Sequence, residues 1–174
     1  MSALRVRRFE PADTDRIREL HETAMRDVGA YVADVPDEDL ETVTETYLES
    51  GGEFLVGERE GRIVAMGAFR PVDGTDFVAQ VLPDLPGSTV ELTRMRVDPD
   101  YQRRGYGRRI ATELERRARE RGATQIVLDT RPTQTAARGL YETLGYEEAA
   151  CERIEGFGEP FELVFYRKPL LDGE

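Results

Sequence analysis

Asp98-Pro99-Asp100-Tyr101-Gln102-Arg103-Arg104-Gly105-Tyr106-Gly107 joins a run patterned as a strand, Val90 to Val97, to one patterned as a helix, about Gly107 to Arg121. The first turn of a helix carries unpaired N–H groups and a partial positive charge, so a turn of this kind can hold an anion such as phosphate. Gly105 and Gly107 let the backbone approach that anion without a Cβ in the way. Arg103, Arg104 and Arg108 offer charge-assisted contacts to it. A plain turn with solvated arginines satisfies the same residues, so the segment by itself leaves both readings open. Two other phosphate motifs fail outright. A dinucleotide fingerprint needs a third glycine where Ile110 stands, and a Walker loop needs Gly-Lys-Ser/Thr, whereas the sole lysine, Lys168, precedes Pro169.

The strand before this turn changes phase. Val90 and Leu92 follow one alternation, Met95 and Val97 the other, and a slip between Thr93 and Arg94 reconciles them. A β-bulge is the usual device for such a slip, and it would bend the strand beside the anion site. Without a bulge, Met95 would point to solvent.

On either side the pattern is that of a mixed α/β domain. Leu4, Val6 and Phe9 mark an opening strand, and a helix follows from Pro11 to about Val28 with Asp13 or Thr14 as its cap. A second helical run begins at Pro36 and Asp37, with Leu40, Val43, Tyr47 and Leu48 at helical spacing, and stops at Gly51-Gly52. Strands Glu53 to Glu58 and Arg62 to Phe69 flank a turn at Glu60-Gly61. Pro71 to Ser88 reads as a long loop holding at most a short extended piece. Beyond the Gly107 helix, with Ile110, Ala111, Leu114 and Ala118 on one face, come a buried strand, Gln125 to Thr130, and a helix from about Gln134 to Leu144. Tyr146 to Ile154 and Pro160 to Arg167 close the chain as an antiparallel pair. The length of 174 residues and the absence of repeats and linkers suit one domain, 1–174.

Composition removes several function classes. One cysteine, Cys151, and one histidine, His21, rule out an internal disulfide and a cysteine-based metal cluster, and no metal site is expected. No apolar run approaches a membrane span, and no signal peptide is evident, so a cytoplasmic protein without membrane contact is expected. A net charge of −11 disfavours nucleic acid as a partner. The acidity itself has two readings, a surface that attracts a cationic partner or one adapted to concentrated salt, and its spread along the whole chain favours the second.

With these residues in view, Glu91-Leu92-Thr93-Arg94-Met95-Arg96-Val97 followed by Gln102-Arg103-Arg104-Gly105-Tyr106-Gly107 resembles the acetyl-CoA signature of the GNAT superfamily, with its Gln/Arg-x-x-Gly-x-Gly/Ala pattern. Ala137-Arg138-Gly139-Leu140-Tyr141-Glu142-Thr143-Leu144-Gly145-Tyr146 resembles that superfamily's second region. The resemblance implies a GNAT fold: a twisted, mostly antiparallel mixed sheet with a central β-α-β-α unit, flanked by helices and splayed between the Val90 and Gln125 strands. It implies direct transfer of an acetyl group from acetyl-CoA to an unidentified amine acceptor, a small molecule or a peptide or protein amine. A homodimer would be in keeping with it. A module that binds acyl-CoA without catalysis is the alternative.

The resemblance also assigns positions. Backbone N–H groups from Arg103 to Arg108, with Gln102 ahead of them, would hold the pyrophosphate. Met95 and Val97 would pair through their backbone with the pantetheine arm, and the Met95 amide would face the thioester carbonyl. Gln134 stands in for an asparagine that often contacts the cofactor in relatives. Glu91 matches a catalytic glutamate, and the chemistry needs one, because an amine of pKa roughly 10.4 must lose a proton before it attacks. Its other reading is a solvent-facing strand carboxylate. Tyr141 matches the tyrosine that protonates the leaving thiolate, and it also fits the apolar stripe Ala137, Leu140, Tyr141, Leu144. His21 reads as a surface histidine and Cys151 as inert. Tyr31, Asp34, Asp37 and Glu38, in a connection that shapes acceptor pockets among relatives, either recognise a cation or are solvated, and the acidity of the chain favours the second.

Overall fold

The computed structural model describes residues 3–29, 37–156 and 159–170. Its strands are β1 (Arg5–Arg8), β2 (Glu53–Arg59), β3 (Arg62–Pro71), β4 (Thr89–Val97), β5 (Gln125–Thr130), β6 (Glu147–Ile154) and β7 (Phe161–Pro169). They form one sheet in the order β1-β2-β3-β4-β5-β7-β6. Every neighbouring pair is antiparallel except β4 and β5, which run parallel on either side of the crossover through helix α3 (Tyr106–Glu120). Helices α1 (Thr14–Asp27), α2 (Phe77–Val81) and α4 (Thr135–Thr143) complete the helical set described here.

Alternation along the strands sorts side chains to two faces. Leu55, Leu92, Ile126 and Leu128 meet Ile110, Leu114 and Ala118 of α3 on one face. Burying each of the larger of these stabilises the fold by about 1.5–3 kcal/mol. On the other face Phe54, Val56, Met66 and Ala68 pack under Ile17 and Leu20 of α1 and under Leu40, Val43 and Tyr47. Glu53, with its side chain fully buried, ties three elements together: it accepts from Arg8 of β1 at 2.9 Å, from Arg117 of α3 at 3.1 Å, and from Arg121 at 2.8 Å.

Three expectations are corrected. The 71–88 stretch is not all loop, because α2 forms there and sets Val78 and Leu82 against Val127 and Phe165, covering a part of the sheet that α1 does not reach. Its few apolar residues acquire helical order from that tertiary contact rather than from local pattern. The run from Asp37 to Leu48 is also not one helix. It is a 3₁₀ turn, Glu38–Leu40, then a π-helical turn, Thr44–Leu48, which together still seal the lower core with Leu40, Val43 and Tyr47. Asp13 does stand at the start of α1, but it makes no side-chain cap. Its carboxylate instead accepts from Arg7 at 2.8 and 2.9 Å and from the Glu10 N–H at 2.8 Å.

The bulge in β4 is present. Met66 pairs with Arg96 and Ala68 with Thr93, so β4 carries one residue more than β3 between those pairs, and Arg94 takes a φ of 57° to accommodate it. Pairing of β4 with β5 covers only Thr89, Val90 and Glu91, after which the two strands part. The phase change sends Met95 toward α3 and leaves Arg94 and Arg96 facing α1. Room for Met95 comes from Gly67 on β3: a Cβ there would lie 2.4 Å from Met95 Sδ and 2.7 Å from Ile110 Cγ2. Gly67→Ala should therefore cost about 1–3 kcal/mol by overpacking. Urea denaturation checks this, and an unchanged midpoint would show that the bulge does not depend on that space.

Candidate active site

Where β4 and β5 part, the molecule opens into a cleft of about 610 Å³, lined by the strand end at Met95 and Val97, the 101–108 turn and α4. A smaller pocket of about 180 Å³ continues from it toward Glu91 and Asp129. The two share Met25, Met95, Arg96, Gln134, Ala137 and Tyr141.

The turn at the mouth of the large cleft has the form an anion needs. Asp98 shapes its entry by accepting from the Asp100 N–H at 3.0 Å, and Arg16 of α1 holds Asp98 at 3.1 Å. Arg103 and Gly105 both adopt left-handed backbone, φ 63° and 79°. A Cβ on Gly105 would touch no other atom, so its conformation, not crowding, is what calls for glycine. The first N–H of this region to find a backbone acceptor is that of Arg109, to Gly105 O at 3.0 Å. Those of 103–108 have none among the described residues, and the turn that carries them borders the cleft with a 15-residue helix behind it. Gln102, Arg103, Gly105, Tyr106, Gly107 and Arg108 line the cleft, while the Arg104 guanidinium lies outside it, 5.0 Å from the Tyr101 ring centroid.

Arg94 and Met95 drop out of the ladder with β3, and β5 has already departed, so their backbone has no paired strand in register on either side. Met95 and Val97 border the large cleft, as does Gln134, whose Oε1 lies 3.4 Å from Thr130 Oγ1. Tyr141 reaches the junction of the two cavities from α4. It is 6% exposed and stacks edge-on against Tyr146 at 5.6 Å. Its hydroxyl makes no hydrogen bond among the described residues, and burial pushes its pKa up to about 12, so it stays protonated.

Glu91 is not a solvent-facing carboxylate. It faces the small pocket with its side chain 12% exposed and accepts from Arg70 Nη2 at 3.2 Å. Burial, and then the charge of Asp129 on β5, raise its pKa to about 7 against the opposing pull of Arg70. Asp129 opens onto the same pocket, yet enough protein surrounds its carboxyl that desolvation raises it too, with Arg96 and Arg70 opposing.

His21 and the acidic connection also depart from expectation. His21 is 5% exposed, not a surface residue. Arg96 Nε donates to its Nδ1 at 3.2 Å, and its Nε2 lies 3.2 Å from Asp37 Oδ2, which places the ring proton on Nε2. Burial, then the charges of Arg96 and Arg94, depress its pKa to about 4. Asp37 is not simply solvated, since it also meets Arg94 at 3.1 Å. Asp39, which the sequence did not single out, holds Arg94 through two bonds of 2.6 and 2.9 Å. Burial works against the Asp39 carboxylate, but Arg94 outweighs it and keeps its pKa low. Glu38 is exposed as expected, Cys151 is exposed on β6 away from both cavities, and Tyr31 and Asp34 lie outside the described residues. No group of residues suited to a metal ion occurs among the described residues.

Comparison with known proteins agrees with this fold. The family model described as Acetyltransferase (GNAT) family matches residues 14–146. Human N-acetyltransferase 8 is 30% identical over 111 residues, 63% of this chain and 45% of that protein. The [Ribosomal protein bS18]-alanine N-acetyltransferase of Escherichia coli (strain K12) is 42% identical over 62 residues, 36% of this chain and 42% of that one. The chain thus spans less than half the length of these curated relatives. Among solved structures, yncA of Salmonella typhimurium with its cofactor acetyl-CoA superposes with a TM-score of 0.78 at 24% identity, covering 98% of this chain and 95% of that one. An acetyltransferase of GNAT family from Staphylococcus aureus Mu50 gives a TM-score of 0.79 at 18% identity over 97% of this chain and 100% of its own. At these identities the two structures bear on the fold alone.

The burial of a neutral His21 has a measurable consequence. Its pKa falls from 6.5 to about 4 on folding, so between those values the unfolded chain binds a proton that the folded one refuses. Stability contributed by the neutral ring is complete above pH 6.5 and is lost as the pH falls toward 4. From pH 7 to pH 5 the wild type should lose about 1–2 kcal/mol relative to His21→Gln, measured by urea denaturation of both. Parallel loss in the two proteins would mean that His21 is not buried as a neutral ring.

Proposed function

This chain belongs to the GNAT acetyltransferase family, and on that premise we propose that it catalyses direct acetyl transfer from acetyl-CoA to an amine. The observation that carries the proposal is the row of unpaired N–H groups from 103 to 108 at the mouth of a cleft that leads past Met95 and Tyr141 to Glu91. A pyrophosphate fits the first part of that path, an extended arm the parted strands, and an amine the carboxylate end.

In this reading 103–108 and the α3 dipole hold the pyrophosphate, with Arg103 and Arg108 adding charge, and Met95, Val97 and Gln134 orient the arm. Acetyl-CoA, when bound, supplies an activated acetyl thioester. Glu91 accepts a proton from the incoming ammonium. A pKa near 7 suits that task, because a useful share is ionised at neutral pH while the group remains basic enough to accept. The Met95 N–H, freed by the bulge, lies where negative charge develops during transfer. Tyr141 holds a proton at Oη for the departing sulfur and, at about 12, does not lose it to solvent.

We further infer that the net charge of −11 with a single lysine suits a cytoplasmic protein working in concentrated salt, where screening relieves carboxylate repulsion. No helix among the described residues is long and apolar enough to cross a membrane. The assay that tests the activity is CoA thiol release from acetyl-CoA in high potassium chloride across a panel of amines. Acceptor-dependent release supports the transferase. Tight acetyl-CoA binding without release for any acceptor would make the chain a binding module instead.

Two variant series test the assigned roles. The acid limb of kcat/KM should have an apparent pKa near 7 and disappear in Glu91→Gln. Arg70 lowers the Glu91 pKa and Asp129 raises it, so Arg70→Met should move the limb to higher pH and Asp129→Asn to lower pH. A limb indifferent to all three would remove Glu91 as the base. Tyr141→Phe should lower kcat on the order of 10²-fold with acetyl-CoA affinity unchanged. Gly105→Val, strained by about 1–3 kcal/mol at φ 79°, should weaken acetyl-CoA binding by about tenfold in calorimetry.

A further inference from the structure

Several arginines near the site are matched by carboxylates. Arg94 has Asp39 and Asp37, Arg70 has Glu91, and Arg16 has Asp98. Arg96 is different. Its Nη1 donates to Met95 O at 2.7 Å and its Nε to His21 Nδ1 at 3.2 Å, both neutral acceptors, and no carboxylate of the described residues lies within salt-bridge distance of it. Its Nη2 makes no hydrogen bond among the described residues. The side chain borders both cavities, where the parted strands meet the small pocket.

Such a guanidinium is costly to keep. Burial, and then the nearby charge of Arg94, lower its pKa to about 10, which still leaves it charged at neutral pH. A second arginine of the small pocket, Arg131, has likewise no carboxylate partner among the described residues. Its guanidinium lies 4.4 Å from the Phe161 ring centroid. A chain with eleven more acidic than basic residues has no shortage of carboxylates to place there, yet the pocket keeps two cations open. The same pocket is lined by Glu91 of β4 and Asp129 of β5. The pocket therefore offers both carboxylates and a guanidinium with no carboxylate partner among the described residues, within about 180 Å³.

We propose that Arg96 binds a carboxylate on the acceptor, so that the preferred substrate is a small amino acid presented as its zwitterion, amine toward Glu91 and Asp129. Arg131 adds positive charge to the same pocket. The proposal rests on the transferase reading above and adds the substrate class. An acidic surface alone would favour polyamines or basic peptides, but the local charge of this pocket selects against acceptors that carry only cations. A guanidinium suits the role because it keeps its charge when buried and makes charge-assisted hydrogen bonds to a carboxylate. With Nε and Nη1 engaged at the His21 and Met95 side, Nη2 is the nitrogen left to meet it.

The test compares matched acceptors in the CoA-release assay: free amino acids of differing size, the corresponding amino acid amides, the decarboxylated amines, spermidine, and an alanyl peptide amide. The readout is the ratio of kcat/KM for each acid to that of its amide. Wild type should favour the acid by at least about tenfold, as expected when a buried charge loses its partner. In Arg96→Met the ratio should fall to near one, with Arg96→Lys intermediate, and because the ratio is internal to each variant a general loss of activity does not shift it. Wild-type preference for amides, spermidine or the alanyl peptide would overturn the proposal while leaving the transferase intact. A raised KM for acetyl-CoA in Arg96→Met with an unchanged ratio would overturn it too, by assigning Arg96 to the cofactor. Release with no acceptor at all would remove the transferase reading and this one with it.

Discussion

One extra residue in β4 is the constraint from which the rest of the cleft follows. Between Thr93 and Arg96 that strand holds a residue that β3 does not match, and a left-handed Arg94 absorbs the surplus. The insertion turns Met95 and Val97 toward α3, leaves Arg94 and Arg96 facing α1, and interrupts pairing with β3 at Arg94 and Met95, just beyond the point where β5 leaves. A strand with no partner on either side would ordinarily leave costly unsatisfied backbone groups. Here those groups line a cleft where solvent or an extended ligand arm can meet them. Gly67 is part of the same arrangement, since only a residue without a Cβ leaves space for Met95 against Ile110.

Holding a non-glycine residue at φ 57° requires compensation elsewhere. Asp39 and Asp37 provide it by gripping the Arg94 guanidinium from the segment that follows α1. This grip makes an irregular segment of short turns a structural partner of β4. It also explains why His21 is buried: the imidazole fills the space between Asp37 and the Arg94–Arg96 pair, and its neutral form avoids adding a third cation there. The electrostatics of the site thus run opposite to those of the molecule. The surface is strongly acidic, whereas the floor of the cleft is rich in arginine and depends on a few chosen carboxylates.

The two ends of the cleft are built on different principles. The 101–108 turn offers backbone N–H donors and a helix dipole, so side-chain identity matters chiefly where backbone conformation demands it, as at Gly105. The Glu91 end offers side chains from β4, β5 and α4, and the charge states of Glu91 and Asp129 depend on their neighbours. The first design suits an invariant ligand portion such as a pyrophosphate. The second allows the acceptor to change without rebuilding the fold.

Much of this was legible along the chain. The phase change from Leu92 to Met95 marked the bulge, Gly105 and Gly107 marked the turn into α3, and Ile110, Leu114 and Ala118 marked the buried face of α3. Each of these signals is local, because backbone geometry and hydrophobic periodicity operate over a few neighbouring residues. Helix α2, the buried state of His21, the Asp39–Arg94 grip, the pairing of Arg70 with Glu91 and the lack of a counter-ion at Arg96 were not legible. They join residues distant in sequence, such as Asp39 and Arg94, or depend on which charges fail to meet. The order of the strands and of the three longer helices, the bulge and the left-handed turn ahead of α3 follow from local sterics and pattern, and so could be read along the chain. Only the tertiary structure decided which ionisable groups are buried, paired or left open, because charge state depends on neighbours that folding alone brings together.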